Sequence, residues 1–318
     1  MDCLVTGGAG FIGSNLVDGL IARGDRVTVI DDLSTGKREN LSAALEAGAE
    51  LVVADVRDAE RVQAVFAACA PELVFHLAAQ IDVRSSVTDP VGDARTNVLG
   101  AINVLEAARR HGVRRLVNTS TGGGLYGDAD VLPTPEDHPI RALAPYGTSK
   151  HASEGYVALY DRLHGLSTVS LRYGNVYGPR QDVHGEAGVV AIFCGLAMTG
   201  GTPTVFGSGR QTRDWVEVSD VVAANLLAAD ADVTGPVNIG HGRETSVLQL
   251  IDALNDVAVP GLREPVFADA RPGEVDRSCL DVTRARETLG WEPRVTLRQG
   301  LVRIFEWLGA EVRDPAAT

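Results

Sequence analysis

The sequence predicts an α/β protein with a doubly wound parallel sheet and a smaller C-terminal α+β lobe. Short apolar runs alternate with amphipathic stretches over roughly the first 170 residues, the pattern of strand–helix–strand units joined by right-handed crossovers. The first apolar run leads directly into a glycine-rich turn that a predicted helix follows. After Tyr173 the alternation becomes irregular, which predicts a second, smaller lobe laid across the sheet.

The predicted elements follow from this alternation. Apolar runs predict strands in the first part of the chain at 3–6, 26–30, 50–55, 72–78, 115–120 and 167–173. Amphipathic stretches predict helices between them at 15–23, 59–69, 91–111 and 146–164. In the later part, predicted strands at 202–207, 213–218 and 236–240 alternate with predicted helices at 189–198, 220–229 and 247–257.

Composition and charge exclude several classes of protein. The 318 residues are 45% hydrophobic and 22% charged, which is typical of a globular protein and not of a disordered chain. A net charge of −13 argues against a nucleic-acid or membrane partner, because phosphates attract clustered Lys and Arg. No apolar run approaches the roughly 18 residues of a membrane-spanning helix. We therefore expect a cytoplasmic protein.

The cysteines predict no disulfide and no metal site. They are widely spaced and form no C-x-x-C pair, and we expect free thiols in a reducing compartment. The four positions are Cys3, Cys69, Cys194 and Cys279.

The glycine-rich turn predicts a dinucleotide site in a Rossmann fold. Gly8, Gly10 and Gly13 satisfy G-x-G-x-x-G, with a strand before them and a helix after. Glycine lets the backbone approach a pyrophosphate, which then lies at the positive end of the helix. The next strand ends at Asp31 and Asp32, whose carboxylates suit the ribose of NAD and repel the 2′-phosphate of NADP. Lys37 and Arg38 follow closely and could attract a 2′-phosphate, so NADP stays open as the alternative cofactor.

Further cofactor contacts are expected where the parallel strands end. Asp55 and Val56 follow the third strand and are placed to meet the adenine. Asn97 has either a cofactor role or a structural one, and His76 is interpreted as a packed strand histidine. The full set of predicted NAD contacts comprises Gly7, Gly10, Phe11, Ile12, Gly13, Asp31, Asp32, Ser34, Gly36, Asp55, Val56, Leu77, Ala78, Ala79, Gln80, Asn97, Tyr146, Lys150 and Tyr173.

A tyrosine and a lysine four residues apart are the predicted catalytic pair. Tyr146 and Lys150 follow Pro145 on a predicted helix, and an i,i+4 spacing places both on one face. The chain holds 29 Lys and Arg residues, of which only Lys37 and Lys150 are lysines. A sequence so rich in arginine needs a specific reason for lysine at position 150. An ammonium group there can bond a ribose diol and lower the pKa of the phenol, as a general base requires.

These motifs together resemble the extended short-chain dehydrogenase/reductase family. The likeness is to its NAD-dependent nucleotide-sugar epimerase/dehydratase branch, close to the UDP-glucose 4-epimerases, and it covers nearly the whole chain. It rests on segments 6–18, 31–40, 76–90, 97–108, 145–150, 172–181, 208–220 and 271–278.

The resemblance implies roles for the pair and for a hydroxyl upstream of it. In the family the tyrosine is the base, the lysine holds the nicotinamide ribose, and a Ser or Thr bridges the tyrosine to the sugar. That hydroxyl often stands four residues before the equivalent of Tyr126, which here is Gly122. The loop carries an extra glycine, so Thr121 is the expected bridge and Ser120 the alternative. Dehydratases carry an Asp-Glu pair in this loop and decarboxylases a Glu; their absence here favours epimerisation.

The resemblance also implies a nucleotide-sugar site. Asn175 is expected at the diphosphate, Arg213 and Arg271 as clamps on it, and Asp276 at the ribose. Residues 204–206 border the uracil. The predicted substrate contacts are Thr121, Gly122, Asn175, Arg180, Val189, Thr204, Val205, Phe206, Arg213, Arg271 and Asp276. Tyr177, His184, Gly185 and Glu186 are further candidates at the sugar.

The expected function is therefore an NAD-dependent UDP-hexose 4-epimerase that acts through a transient 4-keto sugar. The substrate stays open between neutral hexoses, N-acetylated sugars and UDP-glucuronate, because Ser120, Thr121 and Arg180 could hold a carboxylate. A dehydratase, decarboxylase or reductase of the same family, or a non-catalytic dinucleotide sensor, is the alternative.

The same resemblance sets the expected domains and assembly. Residues 1–172 are the expected NAD-binding domain, residues 173–318 mainly the substrate lobe, and a segment of about 214–242 returns to the first domain. Relatives form homodimers through two helices, which here correspond to 91–111 and 145–164. The apolar positions Ala152, Tyr156, Leu159 and Leu163 on the second of these helices face either a partner or the sheet.

Overall fold

A parallel sheet organises the larger part of the molecule in the computed structural model, which describes residues 1–182, 188–271, 274–309 and 312. The strands are β1 (Asp2–Thr6), β2 (Arg26–Asp31), β3 (Glu50–Val53), β4 (Leu73–His76), β5 (Arg115–Thr121), β6 (Ser167–Tyr173), β7 (Asn175–Tyr177), β8 (Thr204–Phe206), β9 (Thr212–Glu217), β10 (Gly235–Ile239), β11 (Glu244–Ser246) and β12 (Val266–Ala268). Within the described ranges, seven of them form one parallel sheet in the order β3-β2-β1-β4-β5-β6-β10.

Helices cover both faces of this sheet. They are α1 (Phe11–Arg23), α2 (Ser42–Glu46), α3 (Ala59–Cys69), α4 (Val83–Thr88), α5 (Pro90–Ala94), α6 (Gly100–Arg110), α7 (Gly122–Leu125), α8 (Pro145–His164), α9 (Val189–Met198), α10 (Val218–Asp230), α11 (Val247–Asn255), α12 (Thr283–Leu289) and α13 (Leu297–Trp307). One apolar cluster packs α1, α10 and α12 on the first face. Another packs α3, α6 and α8 on the opposite face. The predicted α/β fold class is confirmed.

The strand order places the carboxyl ends of β1 and β4 side by side. Because the sheet grows from β1 in both directions, the connections after β1 and β4 leave on opposite faces and open a crevice there. The glycine turn after β1 touches the segment after β4: a Cβ on Gly7 would lie 2.6 Å from the backbone nitrogen of Ala78.

The later part of the chain contributes to two regions. Strand β10 hydrogen-bonds to β6 as the last strand of the main sheet, and α10 packs against α1. The remaining elements build a separate apolar cluster around α9, α11 and α13. Two small sheets accompany this cluster, β11-β9-β7 and β12-β8.

Several element bounds differ from the sequence prediction. The helix predicted at 15–23 begins four residues earlier, at Phe11, and the strand predicted at 50–55 ends at Val53. The predicted helix 91–111 begins at Pro90 and contains a π-helical turn, Arg95–Leu99, between α5 and α6. Such turns place an extra residue in the helix and often occur at functional sites. Asn97 lies in this turn, and its side chain enters the crevice region described below.

The four cysteines are free, and three of them are buried. No helix within the described ranges has the length and apolarity needed to cross a bilayer.

Candidate active site

The glycine turn forms a cradle for an anion at the start of α1. Gly7 has a φ of +71°, which favours glycine, and a Cβ on Gly13 would lie 2.1 Å from the Gly7 carbonyl oxygen. Gly10 differs, since the only close neighbour of a Cβ there would be the same oxygen at 3.3 Å. Helix α1 starts at Phe11, and its first N–H groups have no partner within the helix. The geometry fits a pyrophosphate seated against Gly10.

The backbone N–H and carbonyl of Ala9 are both hydrogen-bonded, by the last residue of β2 and by the segment that follows it. The Asp31 carboxylate accepts the Ala9 N–H at 2.9 Å, and the Ala9 carbonyl accepts bonds from the Lys37 N–H at 3.0 Å and Asn40 Nδ2 at 2.9 Å. Asp31 also accepts the Leu33 N–H, and its burial raises the pKa of this carboxyl. Asp31 thus supports the glycine turn from within.

The carboxylate of Asp32, the residue after Asp31, lies where a ligand can reach it. Asp32 is exposed, and its Oδ1 accepts the Ser34 N–H at 3.0 Å and the Ser34 hydroxyl at 2.6 Å. Gly36 packs closely on Asp31, because a Cβ added to Gly36 would lie 2.8 Å from Asp31 Oδ1. A Cβ on Gly36 would also lie 3.0 Å from the Ala9 carbonyl carbon, so this segment borders the glycine turn. The NAD contacts of Asp32, Ser34 and Gly36 stay predictions.

The ends of β3 and β4 are fixed by bonds to their neighbours. Hydrogen bonds from Arg57 lower the pKa of Asp55, and Val56 is buried with its carbonyl bonded to Asn103 Nδ2 at 2.9 Å. Thr6 accepts hydrogen bonds from the two residues that follow His76, the last residue of β4. Its carbonyl and Oγ1 accept the N–H groups of Leu77 at 3.0 Å and Ala78 at 3.2 Å.

Asn97 joins the end of β4 to helix α8. Its Oδ1 accepts the Gln80 N–H at 2.8 Å. Its Nδ2 donates to the Gln80 carbonyl, Asp93 Oδ1 and Ser149 Oγ, each at 3.0 Å. The side chain is buried. Of the two roles left open for Asn97, these contacts favour the structural one. The half-buried residues beside this junction are Leu77, Ala78, Ala79 and Gln80.

Lys150 places a buried ammonium group in the crevice. Burial lowers its pKa to about 8, while the Glu154 and Asp93 carboxylates act in the opposite direction. Within the described part of the chain, Lys150 makes no hydrogen bond through its side chain, although this residue is only 5% exposed. A buried cation without a partner suits an added group with hydroxyl or carboxylate oxygens.

Tyr146 begins α8 one turn before Lys150. Burial raises the pKa of its phenol to about 12, a hydrogen bond with Thr121 lowers it, and the Asp93 charge raises it. We expected Lys150 to lower this pKa, but burial outweighs any such effect. The phenolate of Tyr146 therefore requires a further positive charge nearby.

The two candidate bridging hydroxyls have different surroundings. Thr121 ends β5 and caps α7, and its Oγ1 accepts the Gly124 N–H at 3.1 Å. Ser120 is buried on the other side of the strand, where it contributes to the low pKa of Glu154. The structure thus brings Thr121 to Tyr146 and does not bring Ser120 there.

His76 is a buried strand histidine that also faces Lys150. Its Nδ1 lies 2.7 Å from Thr6 Oγ1. Burial, followed by the Lys150 charge, lowers its pKa to about 3, so the ring is neutral. The sequence indicated the packed role, whereas only the fold places this ring beside the lysine.

The glycine loop after Thr121 is closed in by two side chains. A Cβ on Gly122 would lie 2.5 Å from Cδ1 of Leu280, and one on Gly123 would lie 3.3 Å from Asn175 Oδ1. That oxygen is buried without a hydrogen-bond partner among the described residues. Sequence reasoning missed Leu280, because no local pattern indicates that this late segment returns to the loop.

Arg213 is the guanidinium best suited to bind an anion. Burial lowers its pKa, and Nη1 donates to the Thr212 carbonyl at 2.8 Å. It forms no ion pair with any residue that the structure describes. The Glu274, Asp276 and Asp128 charges act on it from a distance. This half-buried cation without an ion-pair partner fits a diphosphate.

Arg271 lies over an aromatic ring. Its guanidinium carbon is 3.6 Å from the centroid of Phe206, and Nη1 is 3.7 Å from Glu274 Oε1. Of the other expected nucleotide contacts, Val205 is buried, whereas Thr204 and Asp276 are exposed.

Several residues make contacts other than those predicted for them, including Tyr173, which was predicted to contact NAD. Arg180 Nη2 donates to Asp18 of α1, which ties this guanidinium to the cofactor helix, while Nη1 is buried without a hydrogen-bond partner among the described residues. Tyr177 is buried with its hydroxyl 3.5 Å from the Thr296 carbonyl. The hydroxyl of Tyr173 is bonded in the core to Asn225 and Thr119. Val189 starts α9 and is half-buried. His184, Gly185 and Glu186 lie outside the described residues.

Among the described residues, the site thus offers a phenol, a hydroxyl and an ammonium without a hydrogen-bond partner, an anion cradle at the start of α1 and the half-buried guanidinium of Arg213. Such a set can move a proton to or from a hydroxyl while a dinucleotide and a diphosphate ester are both held. Asp93 and Glu154 also act on the ammonium, and the spacing of Glu154 four residues after Lys150 is a signal that sequence reasoning did not use.

Comparison with known proteins adds three findings. The family model described as GDP-mannose 4,6 dehydratase matches residues 4–304. A UDP-glucose 4-epimerase from Mycolicibacterium smegmatis is 48% identical over 309 residues, which span 96% of this chain and 98% of the relative. Two crystal structures of UDP-glucose 4-epimerases superimpose with a TM-score of 0.91. That of Thermotoga maritima with UDP-glucose is 45% identical over 97% of this chain and 99% of its own. The structure of the Thermus thermophilus enzyme with NAD is 42% identical over 98% of this chain and 100% of its own.

Proposed function

Because the chain belongs to the NAD-dependent nucleotide-sugar epimerase/dehydratase family of extended short-chain dehydrogenases/reductases, we propose that it is a UDP-hexose 4-epimerase that uses bound NAD. The observation that carries the proposal is the contact of Tyr146 with Thr121 beside the unpartnered ammonium of Lys150. The loop that follows Thr121 is three glycines, so it holds no carboxylate for the elimination of water.

The residues present fit NAD. The pyrophosphate would lie against Gly10 and the first turn of α1, and Asp32 would accept a bond from the adenosine ribose. Lys150 would donate to the nicotinamide ribose. When bound, NAD supplies hydride acceptance from sugar C4 and hydride return to the opposite face. A positive charge at this place also favours the phenolate of Tyr146, whose pKa is otherwise raised to about 12.

The chain itself handles the proton. The sugar 4-hydroxyl gives its proton to Thr121 Oγ1, while Thr121 gives its own proton to the Tyr146 phenolate. At the same time hydrogen leaves C4 as hydride, with the electron pair of the C4–H bond. The product of this half-reaction is a 4-keto sugar and a neutral Tyr146. Return of the proton to the ketone oxygen, with hydride added to the other face, gives the epimer. The net redox change is zero, so the cofactor is not consumed.

A neutral hexose is the substrate that the site favours. Arg213 and Asn175 are proposed to hold the diphosphate, and Leu280 closes the pocket against Gly122. UDP-glucuronate would need a cation for its carboxylate. Arg180 was the candidate for that role, but its bond to Asp18 directs it to α1. The similar proteins named UDP-glucose 4-epimerase support the same choice.

We also propose a cytoplasmic homodimer. Tyr156, Leu159 and Leu163 of α8 are 39%, 38% and 64% exposed, which favours a partner over the sheet as the surface they face. Val91 and Leu99, on the neighbouring helical stretch, are exposed as well. The two stretches lie side by side, and pairing with a second copy would bury both.

The test is an assay of purified protein with UDP-galactose, UDP-glucose and their uronates. We expect interconversion of the neutral pair, without net change in added NAD or NADPH. Loss of water or CO2 from any of these substrates, or steady oxidation of a reduced cofactor, would reject the proposal.

A further inference from the structure

A buried ion pair lies directly behind the proposed site and has no role in the mechanism above. Glu154 stands one helical turn after Lys150 in α8. Its carboxylate accepts bonds from Arg172 Nε at 2.9 Å and Nη2 at 2.7 Å. The two side chains are 8% and 5% exposed. Two parallel bonds between a carboxylate and a guanidinium fix direction as well as distance, so the pair ties α8 firmly to β6.

The remaining nitrogen of Arg172 continues the network towards the catalytic turn. Arg172 Nη1 donates to the Tyr126 hydroxyl at 2.8 Å and to the Glu136 carbonyl at 3.0 Å. Tyr126 directly follows α7, the short helix that Thr121 caps. Its hydroxyl donates in turn to Asn238 Oδ1 at 2.9 Å. A chain of bonds thus runs from α8 to the turn that carries the bridging hydroxyl.

The ends of this network are the two groups whose contact the mechanism requires. Tyr146 lies on α8 and Thr121 on the turn, and no covalent connection shorter than 24 intervening residues joins them. Their alignment therefore depends on tertiary contacts. Proton transfer between two hydroxyl groups is slowed by small displacements of either group. A bidentate Arg–carboxylate pair is strongly directional, and it can therefore hold such an alignment.

We propose that Glu154 is a positioning residue for the epimerase reaction, which holds the Thr121 turn against Tyr146 through Arg172 and Tyr126 and balances the buried ammonium of Lys150. The inference rests on the proposed function, since it assigns Glu154 to the same site. It extends that function because Glu154 touches neither substrate nor cofactor in the scheme above.

The charges around Lys150 define the second part of the proposal. Glu154 and Tyr146 face it from its own helix, Asp93 from α5 and His76 from β4. His76 and Tyr146 are neutral near pH 7, so the two carboxylates are the groups that favour the ammonium form. Behind Glu154, Arg172 is charged, and His151 Nδ1 lies 3.8 Å from Glu154 Oε2. Removal of the Glu154 charge should thus lower the pKa of Lys150 further below its ordinary range.

The chain offers a direct measurement, because Lys37 and Lys150 are its only lysines. Protein labelled with ¹³C at lysine Cε gives one signal for each, and Lys37→Arg assigns them. In Glu154→Gln we expect the Lys150 titration to move down by about half a pH unit or more, with Lys37 unmoved. Glu106→Gln is the matched control: this glutamate also pairs with an arginine, Arg109, but lies on α6, and its loss should leave Lys150 unchanged.

Turnover supplies the second readout. We expect Glu154→Gln to lower kcat about tenfold or more with KM for UDP-galactose within about twofold, and Glu154→Asp to recover part of the loss. Tyr126→Phe keeps the Glu154–Arg172 ion pair and removes the hydroxyl that bonds Arg172 and Asn238, so it should lower kcat without moving the Lys150 titration. This variant also tests the proposal if Glu154→Gln does not fold.

An unchanged Lys150 titration in folded Glu154→Gln would overturn the charge-balancing role. Full kcat in Glu154→Gln or in Tyr126→Phe would overturn the positioning role. The lysine titration needs no substrate, so it is decided even if the wild type epimerises nothing. Absence of epimerase activity in the wild type would instead reject the proposed function, and the two failures are thereby distinguished.

Discussion

Thr121, the last residue of strand β5, is the hydrogen-bond partner that lowers the pKa of the Tyr146 phenol in the first turn of helix α8, while burial raises it. The Gly124 N–H donates to the same threonine oxygen at 3.1 Å. This second bond fixes the threonine rotamer, so the hydroxyl remains directed at the phenol. The contact links the proposed base to the proposed relay before any sugar is present.

The relay assignment predicts different outcomes for two adjacent hydroxyls. Thr121→Val keeps the side-chain shape and removes the relay, and we expect kcat for UDP-galactose to fall about 10- to 100-fold. Ser120→Ala is the matched control, since Ser120 faces Glu154 instead of Tyr146, and it should retain kcat within about threefold. The reverse order of effects would assign the relay to Ser120.

The nucleotide clamp predicts a binding defect. Arg213→Ala should raise KM for UDP-galactose about 10-fold or more, because a charge-assisted bond to a diphosphate is lost, while kcat changes little. Arg180→Ala serves as the control, since Arg180 is bonded to Asp18. We expect its preference between UDP-glucose and UDP-glucuronate to equal that of the wild type. Selective loss of uronate turnover in Arg180→Ala would restore the carboxylate pocket that the structure argues against.

The dimer proposal predicts a change of mass in solution. The wild type should have twice the chain mass of 33.5 kDa by light scattering, and Leu159→Glu with Leu163→Glu should have the chain mass alone. A buried carboxylate is costly in an apolar interface. Val266→Glu places the same charge at a residue exposed elsewhere and should stay dimeric. A monomeric wild type at micromolar concentration would contradict this proposal.

The buried ion pair predicts a pH dependence of stability. Burial acts to raise the pKa of Glu154, but hydrogen bonds from Arg172 prevail and lower it to about 2, below its ordinary value. A carboxyl with a lowered folded-state pKa stabilises the fold above its unfolded pKa, and loses that contribution as the pH falls towards the folded one. The contribution is about 3 kcal/mol at pH 7 and about half of this at pH 3.

Urea unfolding of the wild type and of Glu154→Gln, at pH 7 and at pH 3, measures this contribution. We expect the difference in the free energy of unfolding to shrink as the pH is lowered from about 4.5 towards 3. Glu292→Gln, which removes the exposed pair with Arg286, provides the baseline. A difference that is independent of pH would show that the Glu154 carboxylate is not stabilised by the fold.

Most of the fold and the central pair could be predicted from local sequence. Strand β6 and helices α3 and α9 occupy the predicted residues, because an apolar run or an amphipathic period defines them without tertiary information. The spacing of Tyr146 and Lys150 likewise depends only on helix geometry. The choice of Thr121 over Ser120 followed from the position of the loop relative to Tyr126.

The remaining features depend on contacts between distant segments. Leu280 reaches Gly122 only because the segment around Cys279 pairs with Thr134, more than 140 residues away. Arg180 looked suited to a sugar carboxylate until the fold placed Asp18 beside it. Burial, which raises the pKa of Tyr146 and lowers that of Lys150, is a property of the folded molecule and has no local signature.

In the proposed reaction, the protein inverts C4 of a UDP-hexose by hydride removal and return. Its most direct test is incubation of the purified protein with UDP-galactose in D2O, with product analysis by ¹H NMR and mass spectrometry. We expect UDP-glucose that retains hydrogen at C4, with no cofactor consumed, and a rate at least about 100-fold lower in Tyr146→Phe. Deuterium at C4 of the product, or a Tyr146→Phe variant as active as the wild type, would contradict it.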